Sequence, residues 1–314
     1  MFQRITLAAI AFILFPGLAT QTAAAADNAR NTPSASTLLA QSKPDEWRTP
    51  DPENLLYLQL PSGRVIIELA PGFTPLHAAN IRTLARAHYF DGLSILRVQD
   101  DFVSQWGTPE DPKDGYAPTP RNRGSAKTSL PPEFTRPLDA VLPWTGLPDG
   151  DLYAPEVGFS EGFPVGRDRT SGQEWLLHCY GMVGVARDND PQSGDGGSLY
   201  AVIGQARRLD RNLAVAGRVL VGMPLLSGLP RGDGDKGFYT AADQRTPIRS
   251  VQVAADIPVK QRPAIRVLRT DSATFAALLD AARNRHDAFY STAPGKVGVC
   301  DIPAPVREGP ANRH

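Results

Sequence analysis

The chain has 314 residues with 33 basic and 33 acidic side chains, so its formal net charge is zero; with no Lys/Arg run or basic stripe to neutralise a phosphate backbone, nucleic acid is excluded as a partner. Abundant Pro (29) and Gly (28) favour many turns and short strands over long helices, which points to a mostly-β fold. The two cysteines are too few and too far apart for a zinc site, which needs four ligands, or three plus water, usually in close pairs.

At the start, Arg4 precedes an apolar run from Ile5 to Leu18, and small residues follow as far as Ala24-Ala25-Ala26. The run is short for a membrane span and abuts a small-residue cleavage site, so residues 1–26 read as a signal peptide. No later apolar run reaches about 18 residues, and no Cys stands at the cleavage point to take a lipid. The expected location is the bacterial periplasm, with secretion beyond it as the alternative, and no membrane contact after cleavage.

Residues 27–53 are polar and without apolar period, and are predicted to be a tether. The runs Leu55 to Leu60 and Arg64 to Leu69, split by Pro61-Ser62-Gly63, predict a hairpin. Thr74-Pro75 followed by Ala78, Ile81, Leu84 and Ala85 predicts an amphipathic helix that ends near Phe90-Asp91-Gly92. Further strands are predicted at Leu93 to Val98, Phe102 to Trp106, Met182 to Ala186, Ser198 to Ile203, Leu213 to Val221 and Ile248 to Val253. A short helix is predicted around Pro224 to Leu229. Between Gly107 and Glu174 the composition shifts to Pro, Gly, Asp and Thr, and residues 135–171 are predicted to be a long loop inserted at the surface. Residues 259–314 form an extension with one helix, Ser272 to Tyr290, whose Phe275, Leu278, Leu279 and Ala282 share a face.

Four anchors in order between Leu55 and Val253 resemble the cyclophilin family. They are Gly63 to Leu69 with Pro75, Asn80-Ile81 and Leu84; Tyr89-Phe90-Asp91-Gly92 leading to Leu96-Arg97-Val98, Phe102 and Gln105; His178, Gly181, Val185-Ala186-Arg187 and Gly197-Ser198; and Leu209-Asp210, Gly217-Arg218-Val219 and Gly222-Met223. The resemblance implies a closed eight-stranded antiparallel barrel capped by two helices over residues 54–258, with the substrate groove on its outside. It also implies peptidyl-prolyl cis–trans isomerisation without cofactor or metal, acting on unfolded or extended proline-containing polypeptides, here in the folding of exported proteins. The oligomeric state is not legible.

The peptide bond before proline is held by resonance with a barrier of about 18–20 kcal/mol. A donor aimed at the prolyl nitrogen weakens that resonance, and a guanidinium supplies a fixed, permanently charged one. By the resemblance Arg97 is this catalytic donor, Phe102 a wall of the proline cup and Gln105 a hydrogen-bonding partner. Val103, Leu199, Ala201 and Leu213 fall where the family has methionine, glutamine, phenylalanine and histidine, and Arg208 where it has a rim aromatic. Tyr200 or Trp106 is available to refill the space. Ala186 and the main chain of Arg187 form the groove floor. The acidic stretch Asp188 to Gly196 has some of the look of a calcium loop but lacks the Glu at the twelfth position.

Cys179 and Cys300 permit one disulfide in an oxidising compartment, while the apolar setting of Cys179 equally suits a small buried thiol. Two functions from different classes follow: an isomerase acting through Arg97, and a catalytically weak or inactive module that holds proline-containing segments or a protein partner. A hydrolase is not supported, because no histidine lies in a nucleophile motif.

Overall fold

The computed structural model describes residues 33–108, 121–139, 141–285 and 289–311; the signal peptide predicted for 1–26 lies outside them. In chain order the strands are β1 (Trp47–Arg48), β2 (Leu55–Leu60), β3 (Gly63–Leu69), β4 (Ser94–Gln99), β5 (Val103–Gly107), β6 (Arg136–Pro137), β7 (Thr145–Leu147), β8 (Glu156–Ser160), β9 (Phe163–Asp168), β10 (Gln173–Leu176), β11 (Met182–Val185), β12 (Ser198–Val202), β13 (Val215–Val221), β14 (Thr246–Pro247), β15 (Ser250–Val253), β16 (Pro263–Leu268) and β17 (Val306–Ala311). The helices are α1 (Ala35–Gln41), α2 (Pro75–Arg86), α3 (Met223–Ser227) and α4 (Ala273–Arg283).

The predicted strands assemble into one curled antiparallel sheet in the order β14-β4-β5-β12-β11-β13-β3-β2-β15. Its ladder counts nine strands with ends at β14 and β15, where eight in a closed ring were expected. The two ends belong to one continuous segment: Thr246 and Pro247 pair with β4, and Ser250 to Val253 pair with β2. Inside the curl lie Leu56, Leu58 and Leu60 of β2, Val65, Ile67 and Leu69 of β3, Ile95, Val98, Trp106 and Val183, together with Ile81 and Leu84 of α2 and Leu226 of α3.

The outer faces of β2 and β3 are covered as well. Leu55, Tyr57 and Ile66 belong to a second core shared with β8, β9, β10, β16 and α4. Burial on both faces explains why β2 and β3 read as apolar-rich runs, Leu55 to Leu58 and Val65 to Ile67 being continuous, rather than as alternating ones.

That second core is built from segments expected to be loop or tether. Residues 135–171, predicted to be a long loop, instead supply four strands of a five-stranded antiparallel sheet, β6-β10-β9-β8-β7. Gly158 and Gly166, part of the glycine content of this stretch, are each a packing site. A Cβ on Gly158 would meet the Trp144 ring at 2.8 Å, and one on Gly166 the Trp175 ring at 2.8 Å, so these strands carry glycine because a tryptophan lies against them.

The predicted tether is likewise folded where described. Ser34 caps α1 by accepting from the Thr37 N–H, Leu38 and Leu39 reach the second core, and Trp47 of β1 pairs with Leu268 of β16. A seven-residue helix is marginal in water by itself, so no local signal announces it. The C-terminal extension docks as expected through Phe275, Leu278, Leu279 and Ala282 of α4. Cys179 and Cys300 form a disulfide that fastens its tail to the main sheet.

Where the two cores meet, Glu68 accepts both Arg48 guanidinium nitrogens and lies opposite Arg218 in the β3–β13 ladder. Arg218 is fully buried, and that burial draws its pKa down to about 10 despite the neighbouring carboxylate. No helix among the described residues is long and apolar enough to cross a membrane.

Candidate functional site

The site lies on the outer face of β4, β5, β12 and β11. Strict alternation from Ile95, which faces the interior, would turn Arg97 inward too. The β4–β5 register shifts between Ile95 and Arg97, so Leu96 is an extra residue and the bulge delivers Arg97 to the outside, opposite Gln105. Gln105 lies opposite Tyr200 and Tyr200 opposite Gly184. Directly opposed residues share a face, so Arg97, Gln105, Tyr200 and Gly184 form one row across four strands. Gln99, Val103 and Val202 form the next.

The Arg97 guanidinium is held from several sides. Its Nε donates to the Lys236 carbonyl at 2.7 Å, Nη1 to Gln105 Oε1 at 3.1 Å, and Nη2 to the side-chain oxygen of Gln99. Gln105 is kept in place in turn, since its amide nitrogen donates to Ser198 Oγ at 3.3 Å. The rings of Phe102 and Phe238 lie 5.4 and 5.2 Å from the guanidinium carbon, within cation–π range. Phe102 also carries the Arg208 guanidinium at 4.4 Å, so a cation stands where the resemblance placed a rim aromatic and lies against the Phe102 ring.

Beside this row is an apolar cluster of Val103, Tyr200, Val202 and Ala206, against which Phe102, Ala186, Leu209 and Leu213 pack. Arg97, Phe102 and Gln105 thus lie together, with Val103, Ala186 and Leu213 in or against the neighbouring cluster. The Ala186 N–H is engaged by the Ser198 carbonyl at 3.0 Å. The Arg187 side chain donates to the Asn212 carbonyl and borders an open depression of about 550 Å³ with Leu209 and Leu213.

Leu199 and Ala201 are corrected. They face the interior at 2% and 0% exposure, while Tyr200 and Val202 take the groove side. The Gly197-Ser198 anchor set the strand one residue out of phase, which exchanges its two faces. Trp106 also points inward, so Tyr200 is the side chain that fills the vacated space.

Tyr200 fits because of Gly184, where an added Cβ would lie 2.3 Å from the phenol. That isolated glycine inside the apolar run Met182 to Val185 was the available sign of a close approach. Phe238 was missed because nothing local shows its loop reaching β4. It is brought there by the backbone, Gly232 N–H donating to Val98 and Tyr239 N–H to Leu96.

The acidic stretch 188–196 uses its carboxylates locally. Asp190 accepts from the Gln192 N–H, and Asp195 from the Gly197 N–H and Arg123. Among the described residues no group of three or more His, Cys, Asp or Glu side chains is placed to hold a metal.

A solved structure with this architecture is the cyclophilin AquaCyp293 from Hirschia baltica, which is 26% identical, superposes with a TM-score of 0.68 and covers 89% of this chain and 99% of its own. The probable peptidyl-prolyl cis-trans isomerase of Brucella suis is 26% identical over 231 residues, 74% of this chain and 87% of that protein. The human peptidyl-prolyl cis-trans isomerase-like 1 is 32% identical over 71 residues, 23% of this chain and 40% of that protein. The model of the family described as cyclophilin type peptidyl-prolyl cis-trans isomerase/CLD matches residues 55–254. With the match spanning well over half of the chain and the outer-face row in place, this protein belongs to the cyclophilin-type peptidyl-prolyl cis-trans isomerases.

Proposed function

We propose that isomerisation takes place over the Arg97 row and that Arg97 is its catalytic residue. The observation that carries this is the immobilised guanidinium beside an apolar cluster. The cluster of Val103, Val202 and Phe102 receives the prolyl ring, main-chain groups at Ala186 and Arg187 receive the extended peptide, and Arg97 donates toward the prolyl nitrogen. Localising the nitrogen lone pair removes the resonance that makes the barrier, and each 1.36 kcal/mol removed is a tenfold gain in rate. The donor is already oriented, so little reorganisation is required at the moment of rotation.

The curled sheet is read as the family's barrel, closed through the segment Thr246 to Val253. The substrates are read as proline-containing polypeptides in an exported compartment, on the strength of Arg4, the apolar run and Ala24-Ala25-Ala26. A mature chain beginning at Asp27, determined by mass spectrometry of a periplasmic fraction, is the outcome that supports this location.

A second reading, a holding module with little catalysis, is favoured by one observation: Val103, Tyr200, Val202 and Ala206 are almost closed to solvent. Exchange NMR on an Ala-Pro peptide decides between the two. Acceleration that falls about 100-fold or more in Arg97→Ala supports catalysis, on the scale of losing one transition-state donor. Peptide binding without acceleration by either protein leaves the holding module.

A further inference from the structure

Tyr200 is the buried end of a continuous chain of polar groups that begins at the half-buried Asp151 in the insertion. Asp151 accepts Arg207 Nη1 and Nη2 at 2.9 and 2.7 Å. Arg207 Nε donates to Asp210 Oδ2 at 2.6 Å. The other oxygen, Oδ1, accepts the His178 N–H at 2.9 Å and lies 3.0 Å from His178 Nδ1. His178 Nε2 is then 3.0 Å from the Tyr200 hydroxyl.

We propose that the insertion positions the isomerase site through this chain, Asp151–Arg207–Asp210–His178–Tyr200, which fixes the Tyr200 ring beside Gln105 and so the guanidinium of Arg97. The proposal rests on the Arg97 reading and adds to it a remote positioning element.

Each link has a reason. Asp210 Oδ1 lies against His178 Nδ1, so the imidazole tautomer that matches this geometry has its proton on Nδ1 and accepts at Nε2 from the Tyr200 hydroxyl. Complete burial pushes the phenol pKa up, so Tyr200 keeps the proton it donates. The two rings stack nearly parallel, 6.2 Å apart and 12° from coplanar. Gly184 leaves room for the phenol on that side. With its hydroxyl engaged, the ring stays over Gly184, and the Gln105 amide is left to hold Arg97. Released, it can swing about χ1 toward Gln105, its direct cross-strand neighbour.

At the far end Asp151 is locked to its loop by the N–H groups of Tyr153 and Ala154. Movement of the insertion at Asp151 is therefore felt at Arg207. Arg208, next in sequence, stacks on Phe102, so the insertion contact and the groove wall are one residue apart.

The test is a double-mutant cycle in the full chain, with Asp151→Ala, Tyr200→Phe and the pair, read by saturation kinetics on an Ala-Pro peptide and checked for folding by thermal melts. Each single variant is expected to lower kcat about threefold or more with KM within about twofold, and the pair to be no worse than Tyr200→Phe alone, because both act through one chain. Asp151→Glu is expected to restore part of the loss. Full kcat in folded Asp151→Ala, or additive losses in the pair, overturns the proposal. If Arg97→Ala is as active as the parent, the Arg97 reading fails separately, and the side-chain amide resonance of Gln105 decides this one. A shift of that signal in Asp151→Ala sustains the coupling, and an unmoved signal ends it.

Discussion

A single residue of phase separates the groove from the core in β12, and two substitutions report on it. Leu199→Ala removes a side chain buried inside the curl and is expected to destabilise the fold by about 2–5 kcal/mol, read as a lowered urea midpoint, with turnover of the folded protein unchanged. Gly184→Ala does the opposite kind of damage. Its methyl would occupy space held by the Tyr200 phenol, 2.3 Å away, so the ring must leave His178, and isomerase activity is expected to fall about threefold or more even where the melt shifts little. Activity that follows Leu199 rather than Gly184 would restore the sequence-based phase. Arg97, Phe102, Val103 and Gln105 were legible together because they lie within nine residues on one hairpin. Tyr200 against Leu199 was not, because parity on a strand is set by its partner's register and by a bulge, neither of which is written locally.

Among the elements, α2 shows how a distant segment, just ahead of the insertion, supports a helix end. Its N-cap residue Thr74 makes no side-chain capping bond. Instead Glu133 accepts the N–H groups of Leu76 and His77 at 3.0 and 2.9 Å and lies 2.6 Å from His77 Nδ1. A carboxylate at a helix N-terminus meets both open donors and the dipole. Burial alone would raise the Glu133 pKa, but bonds to the His77 ring and these two N–H groups outweigh it and hold the carboxyl below its ordinary 4.5. A depressed folded-state pKa gives stability that is fully present above the unfolded value and lost as pH falls through the folded one. Thermal melts are therefore expected to show Glu133→Gln less stable than the parent near neutral pH, with the gap closing below about pH 4. A gap that persists at low pH would assign the effect to packing. The helix itself was legible from Pro75 and its apolar spacing. Its true cap was not, since Glu133 is brought there by tertiary structure, just as the strands of the insertion were hidden by glycines that make room for Trp144 and Trp175.

At the scale of the molecule, the second core and the disulfide make the flanking segments part of the fold. Cys179 and Cys300 are 121 residues apart, and closing a ring of that size removes about 4–5 kcal/mol worth of unfolded-state freedom in the chain-entropy description. Cys300→Ser, or the parent under reductant, is expected to unfold at a clearly lower urea concentration; coincident curves would mean the tail is held by packing alone. The family's own residues, 55–254, do not enclose a finished surface. Without the flanks, the core that Leu55, Tyr57 and Ile66 share would lose β16 and α4, and what they cover would open as an apolar patch of the kind that drives association.

Strand β1 pairs residue 47 with residue 268, which sets an order of events for a chain made from one end. Strand β1 must wait, unpaired, until residue 268 has been synthesised. Ring closure over such a distance is a late and slow step. The edge that β1 will occupy thus stays open to handling by other proteins until β16 has been made.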